Sequence, residues 1–190
     1  MSDAWYAVSN VEDVASPALL IYPDRVEENI RRMVRIARGP GRLRPHIKTH
    51  KLGELVRMHL AHGIQKFKCA TIAEAELLAT ENAPDVLVAY QLVGPNVARL
   101  LELVRTFPKT QFSTLVDHPL VAGELSQTFA ADGIALDVWI DLDCGMHRTG
   151  IAPAGAVQLA NQISSSPGLR FAGLHAYDGH IHDTDVAVRR

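Results

Sequence analysis

The sequence predicts an α/β fold, a (β/α)8 barrel of the TIM type that stops after its seventh strand. Short apolar runs alternate with longer segments of helical period along the chain, which is typical of parallel strands joined by crossover helices. The first apolar run is followed by Tyr22, Pro23 and Asp24. A doubly wound sheet would instead place a glycine-rich turn there, so the barrel is the favoured architecture.

The elements follow one another in a repeating order. After the apolar run 18–22, Val26, Ile30, Met33 and Val34 recur at spacings of three and four, which marks the buried face of one helix. A Gly-Pro-Gly run ends this helix, and the pattern of strand and helix then repeats. Seven strands are predicted, and six of them are followed by a clear helix. The predicted strands cover residues 18–22, 43–49, 66–70, 85–89, 111–115, 135–142 and 170–177.

The length of the chain limits the architecture. A complete barrel of this type needs roughly 250 residues and eight βα units, whereas this chain has 190 residues. We therefore expect a single incomplete barrel over residues 1–190, without an eighth strand, that is a fragment of a longer protein. A seven-unit piece on its own would leave two sheet edges unpaired.

The composition of the chain limits the kinds of binding partner that we expect. The chain carries 19 Lys and Arg against 21 Asp and Glu, a net charge of −2, which gives no electrostatic case for nucleic acid or an anionic membrane. No apolar run reaches the roughly 18 residues of a membrane helix, and the first residues do not resemble a signal peptide. Two cysteines make no disulfide framework, so we expect a cytoplasmic protein.

The segment Arg44-Pro-His-Ile-Lys-Thr-His-Lys51 is the first candidate for chemistry. On a strand, alternate residues share a face, so Arg44, His46, Lys48 and His50 are expected to point the same way. A lysine at the carboxyl end of a barrel strand, partly desolvated beside cations, would have a lowered pKa and could form a Schiff base. The alternative is a solvated lysine at an ordinary strand end.

A second candidate is the loop 141–150, where an apolar strand runs into acidic residues and a stretch bounded by glycines. Arg148 within it could present its planar donors to a phenolate, a carboxylate or a phosphate. An ordinary βα loop with a surface arginine is the alternative.

The third candidate is the histidine-rich stretch 173–183, in which His175 and Tyr177 would share a strand face. A zinc site on His180 and His182 has little support, because such short spacing is weakly specific and a structural site usually needs four ligands. Two further residues lie at predicted strand ends. Cys69 is expected to be a small buried hydrophobic residue, and Gln91 a loop amide.

Together these motifs resemble the D-threonine aldolase and D-serine dehydratase family of fold type III enzymes, which use pyridoxal phosphate on an alanine racemase-like barrel. The resemblance extends from residue 16 to about residue 183, and the motif 44–51 is its most specific part. Other segments similar to the family are 69–76, 85–91, 141–150 and 173–179.

The resemblance implies roles for five residues. Lys48 would bind pyridoxal phosphate covalently, and Arg148 would contact the phenolic side of the cofactor. Tyr177 would lie near the phosphate, and Gln91 would be a cofactor neighbour. His50 would transfer or orient a proton.

The implied activity is that of a pyridoxal phosphate-dependent lyase for D-3-hydroxy amino acids. The favoured reaction is that of a D-threonine aldolase, which gives glycine and an aldehyde. Dehydration of D-serine or D-3-hydroxyaspartate is the alternative. A homodimer and a divalent metal, Mn, Mg or Zn, are expected only for a full-length protein, and no metal ligand is assigned to this chain.

Two hypotheses from other classes remain open at this stage. One is a non-catalytic barrel that binds pyridoxal phosphate. The other is a zinc-dependent hydrolase that would use His46, His50, His175 and His180.

Overall fold

The computed structural model describes residues 4–189 and contains one five-stranded parallel sheet. Its strands are β1 (Lys66–Cys69), β2 (Asp85–Gln91), β3 (Gln111–Val116), β4 (Leu136–Leu142) and β5 (Leu169–Ala176). The helices are α1 (Pro23–Ala37), α2 (Gly53–Ala61), α3 (Ile72–Thr80), α4 (Pro95–Thr106), α5 (Pro119–Ala131) and α6 (Pro153–Ser165). Three short 3₁₀ helices cover Val11–Asp13, Pro40–Arg42 and Ile47–Thr49.

The order of the strands confirms the predicted fold class. Neighbouring strands follow one another in sequence, β1-β2-β3-β4-β5, and every pair is parallel. Since parallel crossovers are right-handed, an order without reversal places all the connecting helices on the same face of the sheet. That is the arrangement of a barrel wall, whereas a doubly wound sheet reverses its order at a switch point.

The two faces of the sheet differ in chemistry. Residues that point towards the helices are apolar and buried, as in the trio Phe112, Val138 and Ile140. Alternate residues point to the inner face, where Asp137 and Asp141 are buried polar groups. The hydrophobic core therefore lies between the sheet and its helices, and the concave inner face is left for polar residues.

Helix α3 begins where the sequence places it. The hydroxyl of Thr71 accepts a hydrogen bond from the backbone N–H of Glu74 at 3.2 Å, as an N-cap residue does. The Glu74 carboxylate in turn accepts from the N–H of Ala70 at 2.8 Å. These bonds fix the end of β1 against the start of α3.

Two of the seven predicted strands are wrong. Residues 18–22 are extended but pair with no strand among the described residues, and Leu19 and Leu20 remain exposed. Residues 43–49 make only one parallel bridge, between His46 and Lys68, before the chain turns into the helix Ile47–Thr49. A strand needs a neighbouring ladder to satisfy its backbone groups, and both segments lack one.

Candidate active site

A cleft opens at the carboxyl ends of the strands, on the inner face of the sheet. Its main cavity has a volume of about 200 Å³ and is lined by His46, Lys48, Lys68, Arg148 and Tyr177, among others. A narrower recess of about 30 Å³ beside Asp141 and Thr149 shares five lining residues with it. The cavity thus combines two lysines and an arginine with two histidines and two tyrosine rings, which suits a small anionic ligand.

The Lys48 side chain reaches the cleft from a turn, and the expectation of a strand is wrong here. Lys48 lies in the 3₁₀ helix Ile47–Thr49, referred to below as the lysine turn. Ile47 is completely buried and anchors this turn in the core, whereas Lys48 is exposed. Lys48 is therefore less desolvated than the sequence predicts. Alternation along a strand does not apply to a turn with three residues per repeat.

His46 caps the lysine turn. Its Nδ1 accepts a hydrogen bond from the backbone N–H of Lys48 at 3.2 Å, which requires a lone pair on that nitrogen. Burial, followed by the charges of Lys48 and Lys68, lowers the pKa of His46 to about 4. His46 is therefore neutral near pH 7, and its uncharged form supports the turn.

Asp141 is the centre of the opposite wall of the cleft. Its buried carboxylate accepts hydrogen bonds from Gln91 Nε2 and Thr149 Oγ1, each at 2.9 Å, and from His175 Nδ1 at 2.6 Å. Burial by itself raises the pKa of Asp141, but these bonds from His175, Thr149 and Gln91 outweigh it, so the pKa is lowered overall. We call these four residues the Asp141 hub.

The hub is joined to the loop that follows β4. Gln91 also donates to Asp117 at 2.9 Å, and Asp117 accepts from the backbone N–H of Gly150 at 3.0 Å. Gly150 has a φ of +102°, and a Cβ atom there would come within 2.5 Å of the backbone nitrogen of Asp143. Only glycine suits this position, and the loop carrying Arg148 is held against the strand ends.

His175 connects the hub to a second lysine. The ionised Asp141 carboxylate requires a donor, so Nδ1 of His175 carries its proton. The other ring nitrogen, Nε2, lies 3.3 Å from Nζ of Lys68. Lys68 is half-buried, and burial, followed by the charge of Lys48, lowers its pKa.

Arg148 and Tyr177 lie together on the same cleft. The Arg148 guanidinium carbon lies 5.1 Å from the centre of the Tyr177 ring, and Lys68 Nζ lies 5.8 Å from it. The structure therefore brings three of the predicted residues, Lys48, Arg148 and Tyr177, around one cavity.

Two other predicted residues do not line that cavity. Gln91 lies behind it and contacts the two carboxylates of Asp117 and Asp141. His50 accepts a hydrogen bond from the N–H of Leu52, and its ring stacks on His59 with centroids 6.3 Å apart. The expectation that His50 shares a face with Lys48 is wrong, because the turn directs His50 towards α2.

Lys51, the other lysine of the motif, faces away from the cleft. Its backbone has a left-handed φ of +53°. Its side chain is 61% exposed, with Nζ 3.8 Å from Glu74 Oε1. Lys48 and Lys51 thus have different surroundings, and only Lys48 lines the cavity.

The residues considered for metal binding or nucleophilic chemistry do not form such sites. Within residues 4–189, no group of three or more His, Cys, Asp or Glu side chains is arranged to hold a metal ion. Cys69 is buried and its Sγ contacts the carbonyl of Leu87 at 3.6 Å. Burial raises the pKa of its thiol, so it is a small core residue, as expected.

The position of Lys68 in the cleft and the burial of Asp141 as a hydrogen-bond acceptor were not predicted from the sequence. A signal for Lys68 is present in the sequence, because Lys66 and Lys68 alternate with the apolar Phe67 and Cys69. That alternation places Lys68 on the polar inner face near the strand end. Two of the three hub contacts join residues 34 and 50 positions apart, which local spacing does not reveal.

Comparison with known proteins agrees with this architecture. The model of the alanine racemase N-terminal domain family matches residues 21–189. A D-threonine aldolase from Arthrobacter sp. is 33% identical over 171 residues, which cover 88% of this chain and 44% of that protein. A D-threo-3-hydroxyaspartate dehydratase from Delftia sp. is 28% identical over 174 residues, covering 90% of this chain and 45% of that protein.

Solved structures give the same result. The crystal structure of D-threonine aldolase from Filomicrobium marinum superposes with a TM-score of 0.81 at 32% identity, covering 88% of this chain and 45% of the other. The chain thus spans less than half the length of these relatives. Among the described residues, no helix is both long and apolar enough to span a bilayer.

Proposed function

The chain belongs to the alanine racemase N-terminal domain family, and from this premise we propose that it is the cofactor-binding barrel of a pyridoxal phosphate-dependent lyase. The proposed substrates are D-3-hydroxy amino acids, and the proposed reaction is that of a D-threonine aldolase. The observation that carries the proposal is the placement of Lys48 in one cavity with Arg148, Tyr177 and Lys68. The named relatives act on D-threonine or 3-hydroxyaspartate, which supports this substrate class.

The residues of the cleft fit pyridoxal phosphate. Lys48 offers an exposed amine for the aldehyde carbon, and Arg148 offers a cation for an anionic oxygen of the cofactor. Tyr177, with Arg148 over its ring, supplies an aromatic surface. When bound, the cofactor supplies an electron sink for the bond that breaks at the α-carbon of an amino acid.

The protein groups would orient the reactants and hold protons. The Asp141 carboxylate fixes the ring of His175 through Nδ1, so that Nε2 faces the cleft. His46 stays uncharged and holds the lysine turn by accepting from the N–H of Lys48. Gln91 and Thr149 hold Asp141 in place from behind. Each group therefore has a defined partner before any substrate binds, which lowers the cost of orientation in the reaction.

The first experiment tests which lysine binds the cofactor. The protein is incubated with pyridoxal phosphate, reduced with borohydride and digested, and the labelled peptide is mapped. We expect the label on Lys48, loss of it in Lys48→Ala and its retention in Lys51→Ala. Lys51 is the matched control because it belongs to the same motif but pairs with Glu74 outside the cavity. A label retained on Lys51 in Lys48→Ala would contradict the proposal.

The second experiment separates aldolase from dehydratase. D-threonine is added to the protein loaded with pyridoxal phosphate, with and without a divalent metal. Glycine and acetaldehyde are expected. Formation of 2-oxobutanoate and ammonia would favour the dehydratase, a reaction supported by the similarity to the Delftia enzyme. A covalent adduct at Lys48 without either product would favour a non-catalytic barrel.

A further inference from the structure

Lys68 is the one lysine of the cleft with an ordered partner for its amine. It lies on β1, on the inner face of the sheet, and Nζ is 3.3 Å from Nε2 of His175. Asp141 lies behind that ring and contacts Nδ1 at 2.6 Å. The three side chains form a continuous line from the buried hub to the cavity that Lys48 also lines.

The hydrogen bonds along this line have a defined direction. Asp141 is ionised, so Nδ1 of His175 is protonated and donates to it. Nε2 then keeps its lone pair and accepts an N–H of Lys68. An amine at this place can take up a proton at the wall of the cleft, because the ammonium that forms still has Nε2 as its acceptor.

The surrounding charges favour the neutral amine of Lys68. Lys48, Arg44 and Arg148 are cations that face its amine from the turn, the preceding segment and the β4 loop, and Asp141 is the opposing anion. His46, on the same cavity, is neutral near pH 7. Burial and these cations lower the pKa of Lys68, which brings an amine closer to the range used for acid–base catalysis.

We propose that Lys68 is an acid–base catalytic residue of this site, a role that rests on the function proposed above. Its neutral amine accepts the proton of the substrate 3-hydroxyl as the O–H bond breaks and an N–H bond forms. The oxygen electron pair becomes the second bond of the aldehyde carbonyl, and the Cα–Cβ pair remains on the α-carbon. Lys68 then returns the proton to that carbon, giving glycine, so atoms and charges balance without an added reagent.

The first test needs no cofactor. The protein is modified with a trace of acetic anhydride over a range of pH, and the labelling of each lysine is quantified by mass spectrometry. Lys66 is the internal control, since it lies two residues earlier on β1 with an exposed side chain. Lys68 should reach half-maximal labelling at a lower pH than Lys66. Equal midpoints for the two lysines would overturn the proposal.

The second test separates proton transfer from charge. With pyridoxal phosphate and D-threonine, Lys68→Ala and Lys68→Arg should both lose roughly 100-fold or more in turnover, while Lys66→Ala stays within about twofold. Arginine keeps the charge but does not release its proton. Ethylamine in solution should restore part of the activity of Lys68→Ala and none to Lys68→Arg. An active Lys68→Arg, or a folded Lys68→Ala that ethylamine does not rescue, would show that Lys68 supplies only charge or packing.

Formation of the adduct at Lys48 distinguishes a failure of the Lys68 proposal from a failure of the proposed function. If the unaltered chain forms it but converts no D-threonine, the acid–base role of Lys68 is wrong and cofactor binding stands. If no adduct forms at all, the proposed function fails, and the labelling midpoint alone decides whether the pKa of Lys68 is lowered. Circular dichroism of each variant identifies a loss of activity that comes from unfolding.

Discussion

The two walls of the cleft are built in different ways. The Asp141 hub joins β2, β4, β5 and the loop after β4. Its carboxylate is only 5% exposed, and three side chains donate to it. The lysine turn on the other wall is a single 3₁₀ turn, fixed by the burial of Ile47 and by one hydrogen bond to His46, with Lys48 in solvent. The difference indicates that the Asp141 hub fixes the geometry of the cleft, whereas the lysine turn presents a free amine for covalent chemistry.

The largest effect is expected when the hub is broken. The Asp141 carboxylate accepts three hydrogen bonds. In Asp141→Asn one of its oxygens becomes an NH₂ group, which is itself a donor and would face the donors of the hub. A loss of about 3 kcal/mol in the free energy of unfolding is expected, because buried charge-assisted bonds are lost and donors are left unpaired.

Urea unfolding measures this effect. Asp178→Asn is the control, since Asp178 is an exposed carboxylate just beyond β5 and should change stability by less than about 0.5 kcal/mol. If the two variants were equally stable, the hub would not be the structural centre of its wall.

The same contrast explains which parts of the fold could be predicted from the sequence. The apolar runs of β2, β3 and β4 are buried between neighbouring strands, so their pattern reflects a real environment. Residues 18–22 have the same apolar character but no neighbouring strand among the described residues. A local pattern identifies a strand only where the tertiary structure supplies its partner.

The candidate site also contains residues that the sequence predicts and one that it does not. Arg148 was singled out in a glycine-bounded loop and Tyr177 on a strand face, and the family resemblance gave both a role at the cofactor. Both line the cavity with Lys48. Lys48 was found through its motif, although the strand assumed for it is a turn. Lys68 was missed because β1 has only four residues, too few for its alternation to stand out.

An intermediate effect is expected from pH, and it concerns the lysine turn. The pKa of His46 falls from an ordinary 6.5 to about 4 in the folded protein. Below pH 6.5 the unfolded chain binds a proton that the folded chain does not, so His46 makes stability fall as the pH drops towards 4. Between pH 7 and 4.5, His46 should lower the free energy of unfolding by about 2 kcal/mol.

The variant His46→Gln isolates the contribution of His46 to the pH dependence of stability. Glutamine keeps an acceptor oxygen for the N–H of Lys48 but does not titrate. His50, His59 and Asp141 also have lowered pKa values, so both proteins will lose stability in acid. The unaltered protein should lose more than the variant in urea unfolding at the two pH values. Equal losses would mean that His46 is as accessible to protons in the folded state as in the unfolded chain.

The smallest effect on stability is expected at the residue with the largest proposed role in function. Lys48→Met removes an exposed cation that faces Lys68 and His46 and that makes no ion pair within 4.0 Å among the described residues. Removing it relieves repulsion, so unfolding should cost the same or a few tenths of a kcal/mol more. The charge of Lys48 also contributes to the lowered pKa of Lys68, so the labelling midpoint of Lys68 should move to higher pH in this variant. A loss of more than about 1 kcal/mol, or an unchanged midpoint, would mean that Lys48 is part of the packed structure and that the two walls are less distinct than their contacts indicate.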